Sequence, residues 1–270
     1  MAPSLAQILK TTQLEKGEVA LFWLGQAGFA IKTSDEQLIF IDAYLSRFCE
    51  NREGHEVTSK RLIEAPLEAH EITRGLMVAT HCHEDHLDIE AIRSIAERSP
   101  LVHFAGPISC VRAMGRDCPS AERIHLLELE KTNRFDGFDL LAVYADHGEA
   151  EPDAVGVVIE IDGMRIYHTG DTCYCPDRMR RVIEMRPDII IPCINGVYGN
   201  MNSVEAARLA HEVGANAAIP CHFWLFIGQN THPQGTPMAF WEACQQYAPT
   251  TRPVFLRVAE PFVYRRGMTP

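Results

Sequence analysis

The chain is poor in the features that would tie it to a membrane, a nucleic acid or an oxidising compartment. No run in its 270 residues approaches the roughly 20 apolar positions that a membrane span needs. The opening stretch MAPSLAQILKTTQLEKGEVALFW holds no apolar core of signal-peptide length, so a cytoplasmic location is the expectation. Basic residues are outnumbered, 25 Lys and Arg against 36 Asp and Glu, for a formal net charge of -11. That balance excludes the basic footprint which long nucleic acid or an anionic membrane requires. An anionic small molecule stays admissible, because a bound cation inverts the local field. The nine cysteines are odd in number and show no disulfide-like spacing, as suits a reducing compartment. No low-complexity stretch or linker rich in Pro, Gly or Ser divides the chain.

What is present is a dense mixture of strand and helix patterns. VALFWL, FAIKT and QLIFIDAY read as strands, with GQAG and SDEQ as the turns between them. GLMVAT is a further strand. Asp88 is placed to cap a helix that runs to about Arg98, with Ile89, Ile92 and Ile95 on one face. LVHFA and RIHLLEL read as strands around a helix near ISCVRAM. In the second half DLLAVYA, VGVVIEI, RIYHT and PDIIIPCI are strands, and Asp162-Gly163 is a hairpin turn. SVEAARLAHEV, with Ser203 as N-cap, and PMAFWEACQQYA are helices around the strand NAAIPC, and the strands VFLRVA and FVY close the chain. Clustered strands followed by alternating elements, in both halves, imply two mixed β-sheets packed face to face with helices outside. The expectation is one α/β domain over residues 1–270.

Chemistry concentrates in ATHCHEDHLD, residues 79–88. His81, His83, Asp85 and His86 repel one another once the imidazoles are protonated, and they gain little by packing. A metal ion supplies the missing attraction, and imidazole nitrogen with carboxylate oxygen suits zinc, manganese or iron(II). His81 and His83 alternate on what reads as extended backbone, so both can point to one side, with Asp85 and His86 on the turn that follows. Four residues do not complete two ligand shells. His147 in VYADHGEAE, Asp171 in YHTGDTCY and His222 in AIPCHFW supply further donors, each at the end of a strand pattern.

The motif set resembles that of the metallo-β-lactamase-fold hydrolase superfamily, whose signature THCHEDHLD matches. Over nearly its whole length the chain also resembles the L-ascorbate-6-phosphate lactonase-like family, to which WLGQAG, IFIDAYLS, YHTGDT and AIPCHFW are similar in the same order. The resemblance implies a four-layer αββα sandwich of two mixed β-sheets flanked by helices. It implies two divalent ions, zinc or manganese in preference to iron. One ion would be held by His81, His83 and His147, the other by Asp85, His86 and His222, with Asp171 bridging. Asp42, ending IFID, would orient ligands without binding metal, unless it is simply a polar strand-end residue. Two such ions, roughly 3.5–4 Å apart, share a hydroxide that attacks a carbonyl or phosphoryl centre. Asp85 would also orient that nucleophile or shuttle a proton.

The implied activity is hydrolysis of a small lactone, a phosphorylated sugar lactone included, or a related ester. The alternative is a phosphodiesterase acting on small diesters or short nucleic acid. Iron-based redox chemistry and a binding module without catalysis are weaker readings, since the ligand set is complete. Tyr198, Asn200 and Asn202 in NGVYGNMN and His232 in NTHPQG are candidates to contact the substrate, Tyr198, Asn200 and Asn202 reading equally as an ordinary connecting loop. Arg47, Lys60 and Arg61 read as solvated surface charges, with phosphate recognition as the alternative. Cys82 and Cys221, next to ligands, read as core packing residues. The resembled family includes assemblies of identical subunits, so a homo-oligomer acting on a small molecule is expected.

Overall fold

Val19 to Leu24 is apolar at every position, the pattern of a strand covered on both faces. In the computed structural model, which describes residues 3–54, 56–227 and 233–267, this run is β1 (Glu18–Gly25) and is buried at every position after Glu18. The described residues gather into two compact units, each built on its own seven-stranded mixed sheet with helices against it.

The first unit takes the chain up to Leu126, with returns near Trp224 and over Leu256–Arg265. Its sheet contains β1, β2 (Gly28–Thr33), β3 (Leu38–Ile41), β4 (Arg74–Val78), β5 (Leu101–Gly106) and β6 (Ile124–Leu126), with β14 (Pro261–Arg265) added beside β1. Three helices belong to it: α1 (Leu5–Thr11), α2 (Ile89–Arg98) and α3 (Ile108–Asp117). Asp88 caps α2 by accepting from the Ala91 amide, and Ile92 and Ile95 enter a core shared with Phe22, Phe40, Phe104 and Met114. This interior also admits charged groups. Lys32 is fully buried, and its ammonium donates to the Leu9 and Thr12 carbonyls at 2.8 and 2.9 Å, satisfying the C-terminal end of α1.

The second unit runs from Leu127 to Phe223 and resumes ahead of α6 (Pro237–Tyr247). Its sheet order is β13 (Arg252–Pro253), β12 (Ala217–Ala218), β11 (Ile189–Ile191), β10 (Met164–His168), β9 (Val155–Ile161), β8 (Phe138–Tyr144) and β7 (Thr132–Phe135). The β9–β10 turn has positive φ at both Asp162 (50°) and Gly163 (76°), the geometry that Asp-Gly favours in a two-residue hairpin. The helices are α4 (Arg180–Met185), α5 (Ser203–Val213) and α6.

Strand direction decides where the functional loops emerge. In the first sheet β1 and β2 are antiparallel, as are β2 and β3, while β3 and β4 are parallel. The C-terminal ends of β1, β3 and β4 therefore share one edge, and Gln26, Asp42 and the His81–His86 segment follow them. In the second sheet β8 and β9 are antiparallel, as are β9 and β10, while β10, β11 and β12 are parallel. The C-terminal ends of β8, β10 and β12 share an edge, and His147, Asp171 and His222 follow those.

Several expectations need correction. The N-cap of α5 is Asn202, whose side chain accepts from the Val204 and Glu205 amides while Glu205 bonds back to it. Ser203 is the first helical residue instead, because Asn202 completes the reciprocal cap with Glu205 three positions on. VFLRVA is not a strand: its last bond to β12 is the Val254 amide donating to the Ala218 carbonyl, β12 itself being only two residues long, and regular pairing resumes at Pro261. His81 and His83 lie in bends beyond Val78, not on extended backbone. Helices α1 and α4 and strand β7 were not foreseen.

Candidate functional site

In the first unit the donors crowd into one bend held from behind. Asp42 is fully buried, with φ of 47°. Its Oδ1 accepts the Thr80 amide at 2.8 Å, and its Oδ2 accepts the Thr80 hydroxyl and His86 Nδ1–H, both at 2.8 Å. This network sets the histidine tautomers. His86 carries its proton on Nδ1, so Nε2 bears the lone pair. The Thr80 hydroxyl, spent on Asp42, accepts from His81 Nδ1–H at 3.1 Å, which leaves the lone pair of His81 on Nε2 as well. That Nε2 lies 3.0 Å from His83 Nδ1. The His81 ring is centred 4.8 Å from the His83 ring and 4.0 Å from the His86 ring. Asp85 Oδ2 is 3.7 Å from His86 Nε2 and accepts from Gln26 Nε2 at 2.8 Å.

In the second unit the donors are dispersed in sequence and gathered by the sheet. Asp171 is buried, and its Oδ2 lies 3.1 Å from His222 Nε2 and 3.7 Å from His147 Nε2. Asn200 Nδ2 donates to that same oxygen at 2.6 Å. Backbone bonds lace these loops together. The Asp146 amide donates to the Thr172 hydroxyl, Cys173 donates to the Asp146 carbonyl, and Met201 donates to the Thr172 carbonyl. The turn at His222, with φ of 63°, is held by Cys221, which donates to the Pro192 carbonyl and accepts from Ile194.

These His and Asp residues have the donor chemistry that could hold a divalent cation. Imidazole nitrogens lie beside a carboxylate, and in the first set the outer nitrogens of His81 and His86 are pinned by hydrogen bonds, as those of metal-ligating histidines generally are. Cysteine does not compete. Cys221 is buried, Cys82 packs half-buried against the first unit's core, and burial pushes the Cys173 thiol up and that of Cys175 up to about 12. Burial, together with the bond to Asp146, raises the Tyr144 hydroxyl to about 12, so it remains a donor.

Other candidates fall in different places. Asn200 is turned inward onto Asp171, and its Oδ1 is buried with no hydrogen-bond partner among the described residues. Tyr198 is exposed, with φ of 56°. Asn202 is committed to capping α5. His232 lies outside the described residues. Arg47 pairs with Glu50 and Glu64 at the surface, and Lys60 is exposed. Arg61 is not a surface charge: it is buried and donates to the Tyr44 and Ile63 carbonyls. Sequence reasoning missed Thr80 and Gln26, whose only signal is adjacency to the histidine motif and placement in the turn after β1.

The chain is similar to several known proteins. A UPF0173 metal-dependent hydrolase of Cupriavidus taiwanensis is 29% identical over 253 residues, which span 83% of this chain and 79% of that one. A probable L-ascorbate-6-phosphate lactonase of Escherichia coli is 22% identical over 272 residues, covering 85% of this chain and 76% of its own length. Among solved structures, a metallo hydrolase from the hyperthermophilic archaeon Ignicoccus hospitalis superposes with a TM-score of 0.69 at 19% identity, over 92% of this chain and 99% of that one. The two seven-stranded mixed sheets with flanking helices are those of the metallo-β-lactamase fold. The family profile described as Beta-lactamase superfamily domain matches residues 39–223, from β3 to just past His222, and the chain belongs to that family.

Proposed function

We propose that this chain is a metal-dependent hydrolase that works through a dinuclear metal centre. His81, His83 and His147 would hold one ion and Asp85, His86 and His222 the other, with Asp171 available to both. Two divalent ions in such a shell lower the pKa of water toward neutrality and polarise the substrate oxygen. The chain's own residues do the rest. Asp42 and Thr80 hold the His86 and His81 imidazoles in the tautomer that offers Nε2. Asn200 and Asp171 fix one another, so the carboxylate cannot turn away. Asp85, less buried than His81 and His86, is the group able to orient a nucleophile or move a proton.

The substrate is a small lactone or related ester. A phosphorylated sugar lactone is the class suggested by the Escherichia coli relative, and zinc or manganese is the cation suited to the N/O donors. The observation that carries this reading is the buried Asp42–Thr80–His86 network, which has little purpose other than presenting imidazole lone pairs.

The test is elemental analysis of protein purified without added metal, alongside the Asp171→Ala variant. The same samples are then assayed on sugar lactones, their phosphates and a chromogenic phosphodiester. About two equivalents of zinc or manganese with lactone opening is the expected result. Loss of metal and a fall in hydrolysis of about 10³-fold or more are expected for Asp171→Ala, as several kcal/mol of transition-state stabilisation disappear. Diester cleavage alone replaces the lactonase reading with a phosphodiesterase, and full activity in Asp171→Ala sinks the metal assignment.

A further inference from the structure

The tip of the β1–β2 hairpin is built in an uncommon way. Gly25 pairs with Gly28, leaving Gln26 and Ala27 as a two-residue turn. Gln26 has φ of 52°, a left-handed conformation that such a turn ordinarily gives to glycine, asparagine or aspartate. Hairpin tips are usually exposed, yet Gln26 is only 1% exposed. A strained, buried, long polar side chain at a turn points to a task for that side chain.

We propose that Gln26 is a positioning residue for Asp85. Its Nε2 donates to Asp85 Oδ2 at 2.8 Å across a separation of 59 residues. The same Oδ2 is the oxygen that lies 3.7 Å from His86 Nε2. A carboxylate oxygen has more than one lone pair, so the amide can hold one while directing the other toward the imidazole edge. The turn is itself clamped: Trp23 Nε1 donates to the Gln26 carbonyl oxygen at 2.9 Å, which fixes the backbone from which the amide projects.

Residue type follows from this geometry. Asparagine tolerates the left-handed backbone better than glutamine does, but it is one methylene shorter and its amide would fall short of Asp85. Glycine relieves the strain and offers no donor. Glutamate keeps the length and sets a second carboxylate against the first. Only glutamine combines reach, neutrality and an N–H. Asp85 sits in the short turn before α2, and Gln26 supplies a constraint on it from a separate strand end. The inference rests on the reading of Asp85 as a metal ligand and orienting group.

The experiment compares the wild type with Gln26→Gly, Gln26→Glu and Asp85→Asn. Zinc affinity is measured by competition with a chromophoric chelator, and cobalt(II)-substituted samples are examined by absorption spectroscopy. Melting temperature, kcat and KM are recorded beside them. Gln26→Gly is expected to melt no lower than the wild type, because the turn relaxes. It is also expected to bind one metal equivalent about 10- to 100-fold more weakly, the usual penalty for losing a group that orients a ligand. Its cobalt spectrum shifts, and kcat falls while KM changes little. Gln26→Glu, which preserves length and volume, shows the same loss of affinity and guards against an effect of a loosened turn. Asp85→Asn controls the underlying reading: if it binds metal as the wild type does, that reading and this proposal fall together. If Asp85→Asn loses metal while both Gln26 variants keep wild-type affinity and spectrum, the positioning role alone is overturned.

Discussion

The two units present their donors by opposite strategies. The first packs four of them into six residues, His81 to His86, on one bend after β4. The second takes His147, Asp171 and His222 from the ends of three strands and leaves the sheet to bring them together. The compact set needs little from its sheet beyond a place to start, and relies on Asp42 and Thr80 to aim the rings. The dispersed set needs the sheet to be right, since β8, β10 and β12 must run the same way and end level. Local chemistry thus governs the first donor set, and topology the second.

This contrast can be broken in three places. The largest effect is expected from Asp42→Asn, which removes an acceptor from the Thr80 and His86 bonds. Metal affinity should fall about 10- to 100-fold, and the metal-free protein should lose about 1–3 kcal/mol through unsatisfied buried groups. Chelator competition and thermal melts without metal measure the two parts. Wild-type affinity would mean that the bend orients its own histidines.

A matched pair of cavities sharpens the point. Ile190 of β11 and Ile95 of α2 are both fully buried, and truncation of either to alanine should cost about 2–5 kcal/mol. Only Ile190→Ala is expected to weaken metal binding, because it loosens the strand between β10 and β12. Equal effects on affinity from both variants would erase the proposed difference.

The smallest effect concerns pH and lies away from the donors. His103 Nδ1 and His125 Nε2 are 2.9 Å apart on neighbouring strands β5 and β6, and burial, then the charge of His103, holds the His125 imidazole below its ordinary pKa. Below about pH 6.5, the ordinary histidine value, the unfolded chain binds the proton more readily than the folded one. Stability is therefore lost as pH falls through that value toward the lower folded pKa. His125→Gln should flatten part of this slope in denaturant midpoints measured between neutral and mildly acidic pH. An unchanged slope would show that the pair does not contribute.

The same contrast explains what could be read from the chain. THCHEDHLD was legible because its chemistry is contiguous, and Asp88 capping α2 followed from local rules. His147, Asp171 and His222 were singled out by their strand-end positions as partners for that motif and given ligand roles through resemblance, since a single His or Asp after a strand carries almost no signal by itself. Gln26 and Thr80 escaped notice because their roles lie in contacts, one of them across 59 residues. Arg61 was read as surface charge, yet it feeds backbone carbonyls inside the first unit, which composition cannot reveal. Helix α1 was overlooked for a related reason: it is short, and part of what holds it is a lysine buried in a neighbouring strand.

That lysine makes the amino-terminal helix more than an appendage. Trimming the chain to just before β1 would strand the Lys32 ammonium in a sheet interior with only Glu36 to answer it. Such a deletion would act as the introduction of a poorly matched charge into the core, far costlier than its short length suggests. A protease that nicks the segment between Thr12 and Glu18 would release a fragment whose departure destabilises β2. Anyone shortening this protein for engineering is therefore better served by changing Lys32 first, to a residue content without the helix, and cutting afterwards.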